Sequence, residues 1–314
     1  MDQSTSLNIS IALPILKPNN NIKGEIVLLN KSLLNELGIN ETYIKTPEGI
    51  DFLTGSTNAN GSIYAQAYAG HQYGNFTMLG DGRAMNLGEV YINEKYYDLQ
   101  LKGSGRTPYS RGGDGKATLY SMLREYLISE AMNYLNIDTT RSLAVIKTNE
   151  KIIRKTFTQA GILCRVADSH IRVGTFEYAK AFGGITSVQE LADYSINRHY
   201  PYLKESKNKY KDFLSEVIKK QARLIAKWQS IGFVHGVMNT DNMTISGETI
   251  DYGPCAFLDE YVPSKSFSSI DHNGRYSYIN QPNIGSWNLA RFAETLLELL
   301  SRDMNKAVTI ANKE

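Results

Sequence analysis

Residues 235–242 have the sequence His235-Gly236-Val237-Met238-Asn239-Thr240-Asp241-Asn242, and Asp251-Tyr252-Gly253 follow shortly afterwards. Asn242 and Asp251 carry oxygen ligands, which suit a hard cation such as Mg²⁺ or Mn²⁺ that bridges phosphates. A long amphipathic pattern precedes this loop and is expected to form a helix that ends at Gly232. The sequence therefore predicts a polar, metal-binding loop directly after a long helix.

A glycine-rich turn, Gly80-Asp81-Gly82-Arg83, lies earlier in the chain between strand-like runs at residues 76–79 and 84–92. Glycines let backbone N–H groups approach phosphate oxygens without a Cβ in the way, and the arginine adds a cationic fork. A plain hairpin turn would need the glycines but gives no reason for the arginine. We therefore interpret this turn as a phosphate-binding loop.

The next strand, residues 95–101, leads to Lys102, which shares a strand face with Asp98 and Gln100 rather than with the apolar residues. A helical pattern over residues 119–135 follows it. A lysine in this position pairs with a phosphate and with a helix carboxylate. Glu125 is the first choice for that carboxylate and Glu130 the second, because periodicity alone does not separate them.

These features occur in the order found in protein kinases: glycine loop, strand lysine, helix carboxylate, polar loop and Asp-aromatic-Gly. Each feature alone is weak evidence of a function, and the prediction of a kinase-like site rests on their joint order. The kinase pattern H-R-D-x-x-x-x-N has its metal ligand where Asn242 stands, but Val237 occupies the position of the catalytic aspartate. Asp241 is the carboxylate within this loop that could replace the missing base.

The remaining sequence predicts a small sheet followed by helices. Short strands are expected at residues 143–146 and 162–166, helices from residue 188 onward, and a hairpin at residues 243–250 around Ser246-Gly247-Glu248.

The amino-acid composition limits the kinds of binding partner and the cellular location that we expect. Lys and Arg total 34 against 32 Asp and Glu, so the net charge of +2 favours neither a nucleic-acid nor a membrane partner. Cys164 and Cys255 are too few for a disulfide framework or a cysteine zinc site. The first residues, Met1 to Thr5, resemble no targeting signal, and no run is apolar enough to span a bilayer. We expect a cytoplasmic protein.

Several long strings resemble the SelO family of protein adenylyltransferases, which have a kinase fold. Besides residues 235–242 and Asp251-Tyr252-Gly253-Pro254, they are residues 65–74 (AQAYAGHQYG), 79–83 (LGDGR), 101–115 (LKGSGRTPYSRGGDG), Gln281-Pro282 and 287–291 (WNLAR). The resemblance runs from about Leu53 to the C-terminus.

The resemblance implies that ATP binds flipped relative to ordinary kinases, with its α-phosphate presented to an acceptor hydroxyl. It implies Asp241 as the base, Asn242 and Asp251 as ligands of Mg²⁺ or Mn²⁺, and Glu125 as the partner of Lys102. The nucleotide-binding residues it implies are Gly80, Gly82, Arg83, Lys102, Asp114, Gly115, Arg165, Arg172 and Asp251. Arg165 lies in an apolar strand, where an unpaired guanidinium would be costly.

The fold class expected is α+β, a bilobal kinase-like fold whose N-lobe is an antiparallel sheet with one main helix and whose C-lobe is mostly helical. We place an N-terminal extension at residues 1–60, the N-lobe at 61–175 and the C-lobe at 176–314. Many members of the family continue further, which leaves two alternatives: the sequence is a fragment with an incomplete C-lobe, or its C-lobe is minimal.

The function implied is transfer of AMP from ATP to Ser, Thr or Tyr hydroxyls of target proteins, with release of pyrophosphate. Two alternatives remain at this point. An ordinary kinase would use Asp241 in place of the missing base, which Val237 argues against. An inactive ATP-binding scaffold is opposed by the intact Lys102, Asn242 and Asp251.

Overall fold

The computed structural model describes Leu16 and residues 22–57 and 63–314. Its strands are β1 (Gly24–Leu29), β2 (Ala69–Gln72), β3 (Asn75–Met78), β4 (Ala84–Ile92), β5 (Lys95–Lys102), β6 (Ala117–Thr118), β7 (Arg141–Ile153), β8 (Phe157–Ala167), β9 (Phe233–Val234) and β10 (Ala256–Phe257). Its helices are α1 (Lys31–Glu36), α2 (Glu41–Ile44), α3 (Pro47–Thr54), α4 (Leu119–Tyr134), α5 (Val173–His199), α6 (Lys209–Ser230), α7 (Gln281–Leu300) and α8 (Met304–Ala311).

The main sheet is antiparallel, with strand order β1-β7-β8-β5-β4 and the short β6 paired to β8. β4 and β5 form a hairpin through Asn93 and Glu94, whose φ angles of 49° and 61° are those of a two-residue turn that follows the twist of the strands. Along β5, Leu99 and Leu101 enter the apolar core of the sheet. Lys102 therefore points to the opposite face, as the alternation predicted.

Helix α4 packs across the sheet and is capped at its N-terminus by Thr118, whose side-chain oxygen accepts a hydrogen bond from Ser121 N. Met122 joins Val145 and Leu163 in a small buried cluster between helix and sheet. Because residues three apart share a helix face, this packing also turns Glu125 toward the sheet.

The second half of the chain is mostly helical. Phe176 of α5, Phe213 of α6 and Phe292 of α7 are fully buried and contact one another in the centre of this lobe. α6 ends at Ser230, and Gly232 takes a φ of 69°, which suits its predicted place just after the helix.

Arg198 of α5 joins the two lobes. Its guanidinium lies 2.7 Å from Asp98 Oδ1 on β5 and also pairs with Glu89 on β4, while its Nε donates to Asp168 O at 2.7 Å. The backbone N–H of His170 donates to the other Asp98 oxygen at 2.9 Å. The side chain of Arg198 is only 5% exposed, so this is a buried connection between sheet and helix.

The hairpin of β2 and β3 stands apart from the main sheet, because in the described part of the chain these strands pair only with each other. The glycine loop thus connects two strands, as predicted, but β3 and β4 do not pair. At the hairpin tip, Tyr73 and Gly74 have φ angles of 51° and 87°. Tyr73 N donates to Tyr276 Oη at 3.0 Å, so the tip rests on the helical lobe.

The α+β class is confirmed: an antiparallel sheet with one main helix precedes a mostly helical lobe. The hairpin predicted at residues 243–250 is wrong, since Thr244 bridges to Arg172 and Thr249 to Thr139 instead of pairing with each other. No helix among the described residues has the length and apolar character needed to cross a membrane.

The division into three segments stays a prediction. The boundary expected at residue 60 falls within residues 58–62, outside the described ranges, as do Met1 to Thr5. Within the predicted extension, β1 forms the edge of the main sheet beside β7.

Candidate active site

One cavity of about 420 Å³ lies between the glycine loop and residues 241–251. The structure brings into its wall every residue that the sequence predicted for nucleotide, metal or base: Gly80, Gly82, Arg83, Lys102, Asp114, Gly115, Arg165, Arg172, Asp241, Asn242 and Asp251. Glu125 lies behind this wall, in contact with two of the cations.

A buried ionic network forms the floor of the cavity. Lys102 Nζ lies 2.6 Å from Glu125 Oε2 and also contacts Asp251 Oδ1. Arg165 Nη2 lies 2.6 Å from Glu125 Oε1 and 2.8 Å from Asp251 Oδ1. Gln100 Oε1 accepts a further bond from Arg165 at 3.3 Å. Each carboxylate is thus shared by a lysine and an arginine, which offsets the cost of burying these charges.

This network shifts the pKa values of its carboxylates. Burial opposes the ionisation of Asp251, but Lys102, Arg165 and Arg83 outweigh it and hold the pKa well below 3.8. Burial likewise opposes the ionisation of Glu125, yet Arg165 and Lys102 lower its pKa. Both acids are therefore anions at neutral pH, and Asp251 keeps the negative charge that a metal ligand needs. Asp251 also adopts a φ of 69°, which is uncommon for a residue with a side chain.

Glu130, the second choice for the partner of Lys102, has different contacts. Arg141 Nη2 lies 2.8 Å from Glu130 Oε2, and Asn30 Nδ2 donates to the same oxygen at 2.7 Å. The structure thus separates two glutamates that helical periodicity could not.

Asp81 anchors the glycine loop from within. It is 2% exposed, and its Oδ2 accepts hydrogen bonds from Gln66 N at 3.1 Å and from Gln100 Nε2 at 3.2 Å. A methyl group at Gly80 would overlap the ring of Tyr109, so glycine is needed for this close approach. Arg83 is exposed in the cavity wall.

Asp114 lines the cavity with its carboxylate already engaged. Arg154 holds both oxygens, with N···O distances of 2.8 and 2.9 Å, and this pair lowers the pKa of Asp114 to about 2. Gly115 takes a φ of 68° against the backbone of Gly105, where no side chain would fit. These contacts fix the shape of the loop at residues 103–115.

Arg172 and Asp241 lie together at the other side of the cavity. Arg172 Nη1 donates to Asp241 O at 3.2 Å, and its guanidinium lies 4.3 Å from the centre of the Tyr68 ring. Burial raises the pKa of Asp241 to about 6, although Arg172 opposes this shift. Asp241 Oδ1 and Arg172 Nε are buried without a hydrogen-bond partner among the described residues. A hydroxyl and a phosphate oxygen would satisfy these atoms.

The donor set fits a hard cation. Asn242 Nδ2 donates to Val237 O at 3.0 Å, which leaves its amide oxygen for a metal, and Asp251 adds a carboxylate. Among the described residues, no group of three or more His, Cys, Asp or Glu side chains lies close enough to hold a metal by itself. Two protein oxygens completed by phosphate and water are the usual environment of Mg²⁺ in phosphoryl-transfer sites.

The comparison with protein families decides the family. The family described as protein adenylyltransferase SelO matches residues 14–311. The chain belongs to the SelO family. The resemblance predicted from the sequence is thereby confirmed.

Similar curated proteins carry the name protein nucleotidyltransferase YdiU. The one from Clostridium botulinum strain Alaska E43 is 60% identical over 288 residues, which are 91% of this chain and 59% of that protein. Those of Clostridium perfringens strain ATCC 13124 and Shouchella clausii are 57% and 59% identical, covering 98% and 94% of this chain and 64% and 61% of theirs. The chain thus spans about three-fifths of the length of these relatives.

Among solved structures, ROP2 of Toxoplasma gondii is described as a virulence factor with a protein-kinase fold and no enzymatic activity. It matches 76% of this chain and 73% of its own with 11% identity and a TM-score of 0.32. This similarity is too low to support a conclusion about the fold or function of the chain.

The sequence did not reveal the residues that contact Thr240 within the loop at residues 235–242. Thr240 Oγ1 donates to Glu177 Oε2 at 2.5 Å, and the other oxygen of Glu177 lies 2.5 Å from His71 Nδ1. His71 N in turn donates to Thr240 Oγ1 at 2.8 Å. Glu177 lies on α5, far along the chain from both partners, so helical spacing gave no sign of this contact.

Gly70 gave a weak sequence signal, because it belongs to one of the strings shared with the SelO family. A methyl group on Gly70 would overlap the carboxylate of Asp241, and one on Gly174 would overlap Ala69 O. Both glycines therefore permit the close packing of the β2–β3 hairpin against α5 and the loop at residues 235–242.

Proposed function

We propose that this chain contains the nucleotide-binding and catalytic part of a protein adenylyltransferase. It transfers AMP from ATP to a Ser, Thr or Tyr hydroxyl of a target protein and releases pyrophosphate. Membership of the SelO family and the names of the relatives support this proposal.

The observation that carries the proposal is the charge of the cavity. Six cationic side chains line it against four carboxylates, and this excess of positive charge suits the negative charges of a triphosphate. The cations are Arg83, Lys102, Arg111, Lys116, Arg165 and Arg172. Lys102 and Arg165 are buried and held in fixed positions by carboxylates, so little reorganisation accompanies binding.

In the proposed reaction, Asp241 accepts the proton of the acceptor hydroxyl as its oxygen bonds to the α-phosphorus. The bond from the α-phosphorus to the bridging oxygen breaks, and pyrophosphate leaves with its charge neutralised by the arginines and Lys102. A pKa of about 6 keeps Asp241 ionised at neutral pH while leaving it a competent base. Asn242 and Asp251 would hold Mg²⁺ or Mn²⁺, which supplies further charge neutralisation at the phosphates.

Labelled ATP tests the reaction class. The protein is incubated with Mg²⁺, a mixture of bacterial proteins and ATP labelled at either the α- or the γ-phosphate. AMP transfer predicts protein labelling from the α-position alone. Labelling from the γ-position alone would identify an ordinary kinase, and labelling from neither would favour an inactive scaffold.

Substitution of the two aspartates tests their roles. We expect Asp241→Ala and Asp251→Ala each to abolish α-label transfer, because one removes the base and the other a metal ligand. Asp259→Ala, at an exposed position, is the matched control and is expected to retain transfer. Activity retained in Asp241→Ala would exclude Asp241 as the base.

We also propose a cytoplasmic location and protein rather than nucleic-acid targets. Cys164 and Cys255 are buried free thiols, which suits a reducing compartment. The net charge of +2 is small for a nucleic-acid-binding protein.

A further inference from the structure

A basic aromatic patch lies outside the nucleotide cavity. The guanidinium carbons of Arg275 and Arg291 lie 4.8 and 5.0 Å from the centre of the Trp287 ring. None of these three residues lines the cavity. We call Arg275, Trp287 and Arg291 the arginine–tryptophan patch.

The patch has unused capacity for a negative ligand. Arg291 pairs with Glu294 at 2.5 Å, whereas Arg275 has no carboxylate within ion-pair distance in the part of the chain that the structure describes. Both arginines are partly exposed, and the side chain of Arg291 is 28% exposed, so their guanidinium groups are accessible to a ligand from solution. The arginines thus outnumber the one carboxylate that they hold.

The patch lies close to the catalytic loop. The rings of Trp287 and His71 are edge-on, with centroids 5.2 Å apart, and His71 N donates to Thr240, the residue before Asp241. Arg275 also lies near Gly74 at the tip of the β2–β3 hairpin. A polypeptide that brings a hydroxyl to Asp241 therefore has this patch within reach of its neighbouring residues.

We propose that the arginine–tryptophan patch binds carboxylate side chains of the target protein, so that acceptor hydroxyls in acidic segments are preferred. This inference rests on the proposed function for its setting. A guanidinium offers a carboxylate two parallel hydrogen bonds, and tryptophan and arginine contribute strongly at protein interfaces. A lysine-rich segment would meet like charge at the same place.

The test measures peptide binding without ATP, so that it does not depend on AMP transfer. The probes are three fluorescent peptides with one central serine flanked by glutamate, glutamine or lysine. Fluorescence anisotropy gives the affinity of each peptide for the whole chain. We expect the glutamate peptide to bind at least about tenfold more tightly than the glutamine peptide, and the preference to fall with added salt.

Variants locate the binding. Arg275→Gln is expected to weaken binding of the glutamate peptide about tenfold, whereas Arg275→Lys, which keeps the charge but loses the planar fork, retains part of the preference. Arg302→Gln is the matched control, because Arg302 is an exposed arginine elsewhere in the helical lobe, and it is expected to bind as the unmodified chain does.

Other results would overturn the inference. Equal affinity for the three peptides would do so, as would unchanged binding in Arg275→Gln. If the patch were only an internal brace between residues 271–280 and α7, Arg275→Gln would lower the melting temperature and leave the glutamate preference intact. The proposed function fails separately, by absence of α-label transfer while acidic peptides still bind.

Discussion

The burial of Asp241 suits its proposed role as a base but lowers the stability of the folded chain. Its carboxylate is 6% exposed and packs against Gly70, and one oxygen makes no hydrogen bond to the described residues. A pKa raised to about 6 means that the folded chain binds a proton there more tightly than the unfolded chain does. Ionised Asp241 therefore destabilises the native state.

We expect Asp241→Asn to be inactive yet more stable than the unmodified chain at pH 7. A shift from 3.8 to about 6 corresponds to at most about 3 kcal/mol. The difference in free energy of unfolding should be near zero below pH 3.8, grow as pH rises toward 6 and then stay constant. Urea unfolding from pH 4 to 8 measures it. A variant less stable at every pH would contradict this account.

The glutamates of α4 provide a second comparison at the scale of single residues. Glu125→Gln weakens the two ion pairs that hold Lys102 and Arg165 in position, so we expect the affinity for ATP with Mg²⁺ to fall about tenfold or more. Glu130→Gln is the matched control, because Glu130 is also buried and arginine-bound but lies away from the cavity. Calorimetric titration of each variant tests this, and equal losses of affinity would contradict it.

At the scale of elements, the β2–β3 hairpin connects the sheet half of the molecule to the loop at residues 235–242, which contains the proposed base. His71 and Gly70 of β2 contact Thr240 and Asp241, while Glu177 of α5 completes the contact. The position of Asp241, the proposed base, thus depends on a hairpin and a helix as well as on the loop that contains it.

We expect Glu177→Gln to lower the rate of AMP transfer about tenfold or more with a smaller change in the KM for ATP. The substitution replaces one of the two carboxylate oxygens that bind Thr240 and His71, and small misplacements of a base are costly. Steady-state kinetics separates the two parameters. Glu205→Gln, at an exposed position, is the control. A change confined to the KM for ATP would show that the contact serves the nucleotide instead.

The sequence predicted those elements whose pattern is local. β4, its two-residue turn and β5 agree with the predicted runs to within one residue, and α6 buries its apolar stripe. Helix α4 has nearly the predicted bounds, but Leu127 and Leu135 of its apolar stripe are exposed. The alternation of side chains along β5 also predicted the face of the sheet to which Lys102 points. The arrangement around the cavity was predicted because the motifs form long strings shared with a family.

Contacts between distant segments could not be predicted in this way. The alternation at residues 243–250 indicated a hairpin, but Thr249 N donates to Asp138 O and Thr249 O accepts from Thr140 N, while Thr244 lies opposite Arg172. Likewise β1 reads as an isolated apolar patch, and its partner β7 lies more than a hundred positions away. Periodicity reports which face is buried and is silent about the partner.

At the scale of the whole molecule, the Arg198 connection sets how the lobes meet. Asp98 is buried and depends on Arg198 for its charge partner, with His170 as a second contact. Burial alone would raise the pKa of Asp98, but Arg198 and His170 lower it.

Removal of Arg198 should therefore be costly. We expect Arg198→Met to lower the free energy of unfolding by about 3–5 kcal/mol, because it leaves a buried carboxylate short of a partner. Lys209→Met removes an exposed ion pair with Asp193 and should cost no more than about 1 kcal/mol. Urea unfolding at pH 7 compares the two variants. Similar losses would mean that the lobes are held together mainly by other contacts.

The tip of the β2–β3 hairpin can dock only late in the synthesis of the chain. Tyr73 bonds to Tyr276 across a sequence separation of 203 residues. Such contacts close only after the intervening chain has been synthesised, and they add to the slow part of folding. A nascent chain that already contains the glycine loop and Lys102 therefore lacks the docked hairpin, and with it the final position of Asp241, until residue 276 has left the ribosome.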